Sequence, residues 1–166
     1  MTIKHAGAAV LAALLSTGAA QSAPTPVPGG ANQVKALSGT VGKTIFNGVL
    51  RITVVDVRDA TADETAAFRP VAGQKVMVFD VRLSNGTDST FTDLVEYTFA
   101  DKDAISVDVP TADYTHANLN IQQGAAQVQK GTFAVDPGFV PTKLIVKCVT
   151  CGSRSAFKTL RITIPH

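Results

Sequence analysis

The chain has 166 residues, with 15 Lys plus Arg set against 13 Asp plus Glu, and 45% of its residues are hydrophobic. So even a charge balance supplies neither the basic face that phosphate neutralisation needs nor a polybasic patch for an anionic membrane, which removes nucleic acid from the expected partners. Two cysteines are too few for a disulfide-built scaffold, so an apolar core must carry the fold, and the length suits one domain.

Lys4 and His5 open the chain, Ala6 to Gly18 are rich in Ala, Leu, Val and Gly, and the small residues Ala19, Ala20, Ser22 and Ala23 follow. A basic start, an apolar middle and a small-residue end make the secretory signal pattern, here residues 1–23. The apolar run is shorter than the ~20 residues of a membrane-spanning helix, so no span is expected after cleavage. Cleavage after Ala20 or Ser22 puts a small residue three positions before the cut, and no Cys sits at the junction to take a lipid. Losing Lys4 leaves 14 basic against 13 acidic residues. The expected location is secreted, or periplasmic and cell envelope.

Pro24, Pro26, Pro28, Gly29 and Gly30 crowd the next stretch. Proline removes donors and glycine removes stiffness, which predicts a loose linker over residues 24–36. The ordered domain is expected over 37–166. Lys43 to Phe46 reads as a short strand. Asn47-Gly48 is the dipeptide of a type I′ hairpin turn, and Val49 to Val57 is a β-branched strand after it. Asp59 to Pro70 is polar and Ala-rich, a loop or one helical turn.

Gln74 to Ser84 carries the strongest alternation. Met77, Phe79, Val81 and Leu83 share one face, and Asp80, Arg82 and Ser84 the other, as in a half-buried strand. Asn85-Gly86-Thr87-Asp88 closes it as a turn, which also accounts for the glycosylation-type triplet Asn85-Gly86-Thr87. Tyr97 to Ala100 and Ile105 to Val109 read as strands around Asp101-Lys102-Asp103. Tyr114 to Ile121 reads as an irregular excursion. Lys130 to Val135, Lys143 to Val149 and Leu160 to Ile164 complete the series. Seven to nine short strands separated by Gly, Asn, Asp and Pro turns predict an all-β, antiparallel sandwich.

Val41-Gly42-Lys43, then Gly48 to Val54, resembles the opening hairpin of an immunoglobulin-like bacterial domain family of undefined function. That family is related to the immunoprotective extracellular antigen of mycobacteria. Pro70 to Gly86 resembles its proline, small residue, glycine and lysine ahead of a long apolar strand ending in Asn-Gly. Tyr97 to Asp103 is similar to its aromatic strand and acidic turn. Gln129 to Val135 resembles the strand after its Pro-Gly turn, although that Pro-Gly is absent here. The resemblance spans Leu37 to Pro165. It implies an extracytoplasmic immunoglobulin-like sandwich, found in lipoproteins or secreted proteins, with no catalytic residues to carry over. The Cys148/Cys151 pair lies outside the family pattern.

Cys148-Val149-Thr150-Cys151 is the sharpest chemical feature. In an export compartment such a pair is expected to be bonded. It could exchange disulfides if one thiol were acidified, and Lys147 and Arg154 flank it. Redox pairs of this type sit at helix N-termini, whereas this one follows the apolar Leu144-Ile145-Val146 and precedes Gly152-Ser153. A structural disulfide pinning a loop is therefore the favoured reading. Only His116 and the terminal His166 remain after processing, so a Cys-Cys-His metal site has no support in the spacing. Asp101 and Asp103, or Asp56, Asp59, Asp63 and Glu64, could offer oxygens to calcium but lack a regular loop spacing. No nucleophile elbow, phosphate loop or paired-histidine zinc motif appears. The expected function is a non-enzymatic binding or structural module, with no cofactor, facing an unidentified protein or cell-envelope component. The alternative is a thiol–disulfide or metal-handling protein built on Cys148 and Cys151.

Overall fold

A computed structural model of the protein describes residues 36–149, 151 and 156–166. The expected signal and linker lie outside these residues, apart from Ala36, which immediately precedes the first strand. The strands are β1 (Leu37–Thr40), β2 (Thr44–Phe46), β3 (Leu50–Asp59), β4 (Lys75–Asn85), β5 (Phe91–Asp101), β6 (Ser106–Asp108), β7 (Asn118–Ile121), β8 (Ala126–Val135), β9 (Pro141–Cys148) and β10 (Leu160–Thr163). They form an immunoglobulin-like two-sheet sandwich. One sheet runs β2-β3-β4-β8. The other runs β1-β10-β9-β5-β6, with β7 pairing the start of β5. The short β1 and β7 bring the total among the described residues to ten strands, and β1 adds a parallel pairing, to β10, where the other described pairings are antiparallel.

β4 lies between β3 and β8, so both of its edges are satisfied. Met77, Phe79, Val81 and Leu83 are all buried, as their alternation predicts. The Phe79 ring faces Tyr97 and Phe99 of β5 at centroid distances of 4.9 and 5.5 Å, with Phe133 at 6.1 Å and Tyr114 at 6.4 Å. Phe99 and Phe133 stack at 4.6 Å across the two sheets. Gly131 stands opposite Phe79 in the β4–β8 register. A Cβ at Gly131 would lie 2.1 Å from the Phe79 ring, so the ring crosses β8 where there is no side chain.

A polar chain runs beside these rings. The Tyr97 hydroxyl donates to Gln129 Oε1, and Gln129 Nε2 donates to the His116 carbonyl at 2.7 Å. Gln129 is fully buried, so both ends of its amide must be satisfied inside the protein. Burial pushes the Tyr97 hydroxyl well above the usual tyrosine range, which keeps it a donor at any ordinary pH.

Several expected boundaries move. β5 starts at Phe91 rather than Tyr97, and β8 at Ala126 rather than Lys130. The expected excursion at Tyr114 to Ile121 contains β7, four residues in which Leu119 and Ile121 turn inward. The expected type I′ turn is corrected. Asn47 N–H donates to the Leu50 carbonyl at 3.0 Å, which makes Gly48-Val49 the central pair. Positive φ falls at Gly48 (103°) and not at Asn47, whereas type I′ needs it at both central residues. Asn47 is buried, and its Oδ1 accepts from Val49 and Leu50 N–H.

The segment from Asp59 to Pro70 contains helix α1 (Ala62–Phe68), started by a capping box. Thr61 Oγ1 accepts from Glu64 N–H, and Glu64 Oε2 accepts from Thr61 N–H at 2.8 Å. Arg58 grips the same carboxylate with both guanidinium nitrogens, each at 2.8 Å. The Arg58 hydrogen bonds, then those from Thr61, lower the Glu64 pKa to about 2. Because the folded-state value is depressed, this contribution is present above the free-carboxylate value near 4.5 and is lost as pH falls through about 2. Protection factors across α1, taken relative to the intrinsic exchange rate at each pH, are expected to fall on acidification through that window. Glu64→Gln should flatten the dependence; an unchanged profile would detach the helix from this carboxylate.

Candidate functional site

β5 changes partners at one end of the sandwich. Its ladder to β7 covers Phe91 to Leu94, and its ladder to β9 begins at Val95, opposite Cys148. One further bond, Val149 N–H to the Leu94 carbonyl at 2.9 Å, carries the contact past the end of β9. The chain bends at Val149. Cys148 and Cys151 are joined as a disulfide with Cα atoms 5.7 Å apart. A straight strand would separate them by about 10 Å, three steps of about 3.3 Å, so the bend after Cys148 makes the bond possible. Both cysteines are half-buried against the core.

The structure adds a residue to this site. Asp93 of β5 places Oδ2 3.0 Å from Cys151 Sγ, while its Oδ1 accepts from Leu94 N–H at 2.7 Å. Asp93, Cys148 and Cys151 bring one donor atom each to within 4.8 Å of one another. No local signal marks Asp93 in the sequence. It precedes Cys151 by 58 positions and falls before the expected start of its strand.

The surroundings bear on thiol chemistry. Lys147 side-chain Nζ lies 2.9 Å from Glu96, its neighbour in the β5–β9 register. That hydrogen bond raises the Lys147 pKa, so its charge is engaged with Glu96 rather than with the adjacent cysteine. Arg154 lies outside the described residues. No described helix begins at either cysteine, and among the described residues the charged group nearest Cys151 Sγ is the Asp93 carboxylate, which does not favour a thiolate there.

Most of the acidic candidate ligands are engaged elsewhere. His116 is exposed, in a left-handed turn with φ 54°, and joins no ligand cluster among the described residues. Asp101 Oδ1 accepts from Asp103 and Ile105 N–H, both at 2.9 Å, closing its own turn. Asp56 and Glu64 pair with Arg58, and Asp59 pairs with Lys75 at 3.2 Å. A cleft of about 260 Å³ opens beside Arg58 and Lys75, with Met77, Val140 and Ile164 in its lining, but those ion pairs compensate both cations.

No family model matches the chain, and no curated protein matches it. Among solved structures, the fold is similar to MPT63, a secreted protein of Mycobacterium tuberculosis. The two are 19% identical, the match covers 79% of this chain and 99% of MPT63, and the TM-score is 0.52. A conserved hypothetical protein of Bacillus anthracis matches at 13% identity over 66% of this chain and 88% of that one, with a TM-score of 0.48.

The closed ring between the cysteines is short. On the chain-entropy account the bond contributes less than the ~3 kcal/mol of a fifteen-residue loop. The double variant Cys148→Ser/Cys151→Ser is expected to stay folded and lose less than that in urea melts. A collapse of the whole transition would make the bond essential to the sandwich.

Proposed function

We propose that this chain is a secreted, non-enzymatic immunoglobulin-like module, presenting loops or a sheet face to a protein or cell-envelope component, with Cys148–Cys151 as a structural bond. The observation that carries the reading is the placement of that disulfide. It ties the end of β9 where β5 changes partners, beside a carboxylate and away from any described helix start. That is the setting of a loop staple rather than of an acidified redox thiol. Support for an exported module comes from the signal pattern at 1–23 and from the fold shared with a protein described as secreted. No described helix is long and apolar enough to cross a membrane. The Asp101 carboxylate closes its own turn, and Glu64 and Asp59 are held in ion pairs.

Native alkylation with mass spectrometry of freshly exported protein tests the reading. Unlabelled Cys148 and Cys151 in nearly all molecules is the expected result. Two labelled thiols, together with disulfide reductase or isomerase activity, would replace the module with the redox alternative.

A further inference from the structure

We infer that Asp93, Cys148 and Cys151 form a redox-gated site for a thiophilic divalent cation, Zn²⁺, closed while the disulfide stands and opened when it is reduced. The three donors come from two chain segments that the fold already holds together. β5 supplies the carboxylate, and Cys148 at the end of β9 and Cys151 three residues on supply the sulfurs. Two hydrogen bonds fix the frame: Val149 N–H to the Leu94 carbonyl, and Leu94 N–H to Asp93 Oδ1. Asp93 Oδ2 stands 3.0 Å from Cys151 Sγ, so the oxygen is already on the sulfur side.

The size fits. In a tetrahedral zinc site with Zn–S of about 2.3 Å and Zn–O of about 2.0–2.2 Å, the two sulfurs lie about 3.8 Å apart. Cα atoms 5.7 Å apart allow that separation by rotation of the two side chains. Two thiolates and a carboxylate make a borderline-soft set that suits Zn²⁺ and leave the fourth position to water. Half-burial of all three residues leaves the site open to solvent and to a reductant.

Opening requires a low-molecular-weight thiol, RSH. The protein S–S bond accepts two electrons and two protons from two RSH, which leave as one RSSR, and Cys148 and Cys151 become thiols. Binding Zn²⁺ then displaces both thiol protons as two Zn–S bonds form, so uptake is favoured as pH rises. Zinc charge also offsets the repulsion that Asp93 imposes on a bare thiolate at Cys151.

The test uses the mature chain, with Cd²⁺ as a spectroscopic stand-in for Zn²⁺. Oxidised protein is expected to take up no metal. After reduction with a phosphine, one equivalent of Cd²⁺ should give thiolate-to-cadmium charge-transfer absorption, and Zn²⁺ should abolish it by competition. Asp93→Asn should retain the band and weaken Zn²⁺ binding more than about tenfold, the loss that even an outer partner of a ligand can bring. Cys148→Ser should lose the band. If reduction loosens the fold, metal should restore the far-ultraviolet dichroism. Absence of the band, equal affinity in Asp93→Asn, or a reduced chain that metal fails to refold would each overturn the site. The oxidised module proposed above stands or falls separately, on the thiol count of exported protein.

Discussion

Phe79→Ala is expected to lose about 3–5 kcal/mol of stability, the cost of emptying a fully buried aromatic position in a core that cannot collapse onto the gap. The ring is 1% exposed and contacts four other rings drawn from both sheets and from the segment before β7. Its removal therefore leaves a void bounded by rigid neighbours rather than by flexible side chains. Gly131→Ala attacks the same contact from the other side. The new methyl group meets a ring carbon at 2.1 Å and is expected to cost about 1–3 kcal/mol through overpacking. The two changes should not add. Once the ring is gone the methyl group has room, so the double variant should lose measurably less than the sum. Denaturant melts of the four proteins decide the matter. Additive losses, or a Phe79→Ala loss below about 1 kcal/mol, would show that this ring does not bridge the sheets.

That core was legible because β4 alternates from Phe79 to Leu83, although Val78 just before is apolar and also buried. Each inward residue is large and apolar, and its neighbours Asp80 and Arg82 are charged. β5 was only half legible. Thr92, Asp93 and Glu96 interrupt the apolar signal before Tyr97, yet the backbone continues because β7 pairs with the first half and β9 with the second. Pairing of that kind is a tertiary fact, invisible to local periodicity. The same reason hides Asp93. Its proximity to Cys151 depends on the β5–β9 register, not on any spacing along the chain. The cysteines themselves were legible, since export and close spacing pointed to a bond before its geometry was known. Helix α1 was undecided from composition, although Thr61-Ala62-Asp63-Glu64 spells a capping box that anticipates its start.

The two Asn-Gly dipeptides carried a further lesson. Both read as turn residues, and both asparagines are buried. Asn47 uses its side-chain oxygen to cap the hairpin, while its Nδ2 finds no partner among the described residues. A turn signal records only that the chain reverses, and is blind to a side chain that faces inward to satisfy the reversed backbone.

Asn85 takes that role furthest and supplies the second large expected effect. It is 2% exposed, and every polar atom it has is bonded. Its N–H donates to the Ala125 carbonyl at 2.9 Å, and its carbonyl accepts from Gly124 at 3.0 Å. Side-chain Nδ2 donates to Ser89 and Ile121 carbonyls at 2.7 and 2.8 Å. Oδ1 accepts from Thr87 N–H at 2.9 Å and Thr87 Oγ1 at 2.7 Å. One amide thus ties the end of β4, the loop into β5 and the end of β7. With both Nδ2 hydrogens engaged and the residue buried, the Asn85-Gly86-Thr87 triplet cannot accept a glycan in the folded chain. Asn85→Ala is expected to cost about 2–4 kcal/mol, because it orphans the buried Ile121 carbonyl and, at once, the part-buried Ser89 carbonyl and Thr87 N–H. Asn85→Asp gives the sharper result. A carboxylate there faces two carbonyl oxygens, so its protonated form is the one the fold accepts and its folded pKa rises above the unfolded value near 3.9. The variant should therefore approach wild-type stability below pH ~4 and fall away as pH rises towards neutrality. Urea melts of wild type and both variants at acid and neutral pH provide the measurement. An Asp variant whose deficit is the same at both, or an Ala variant within about 0.5 kcal/mol of wild type, would remove Asn85 from the framework of the sandwich.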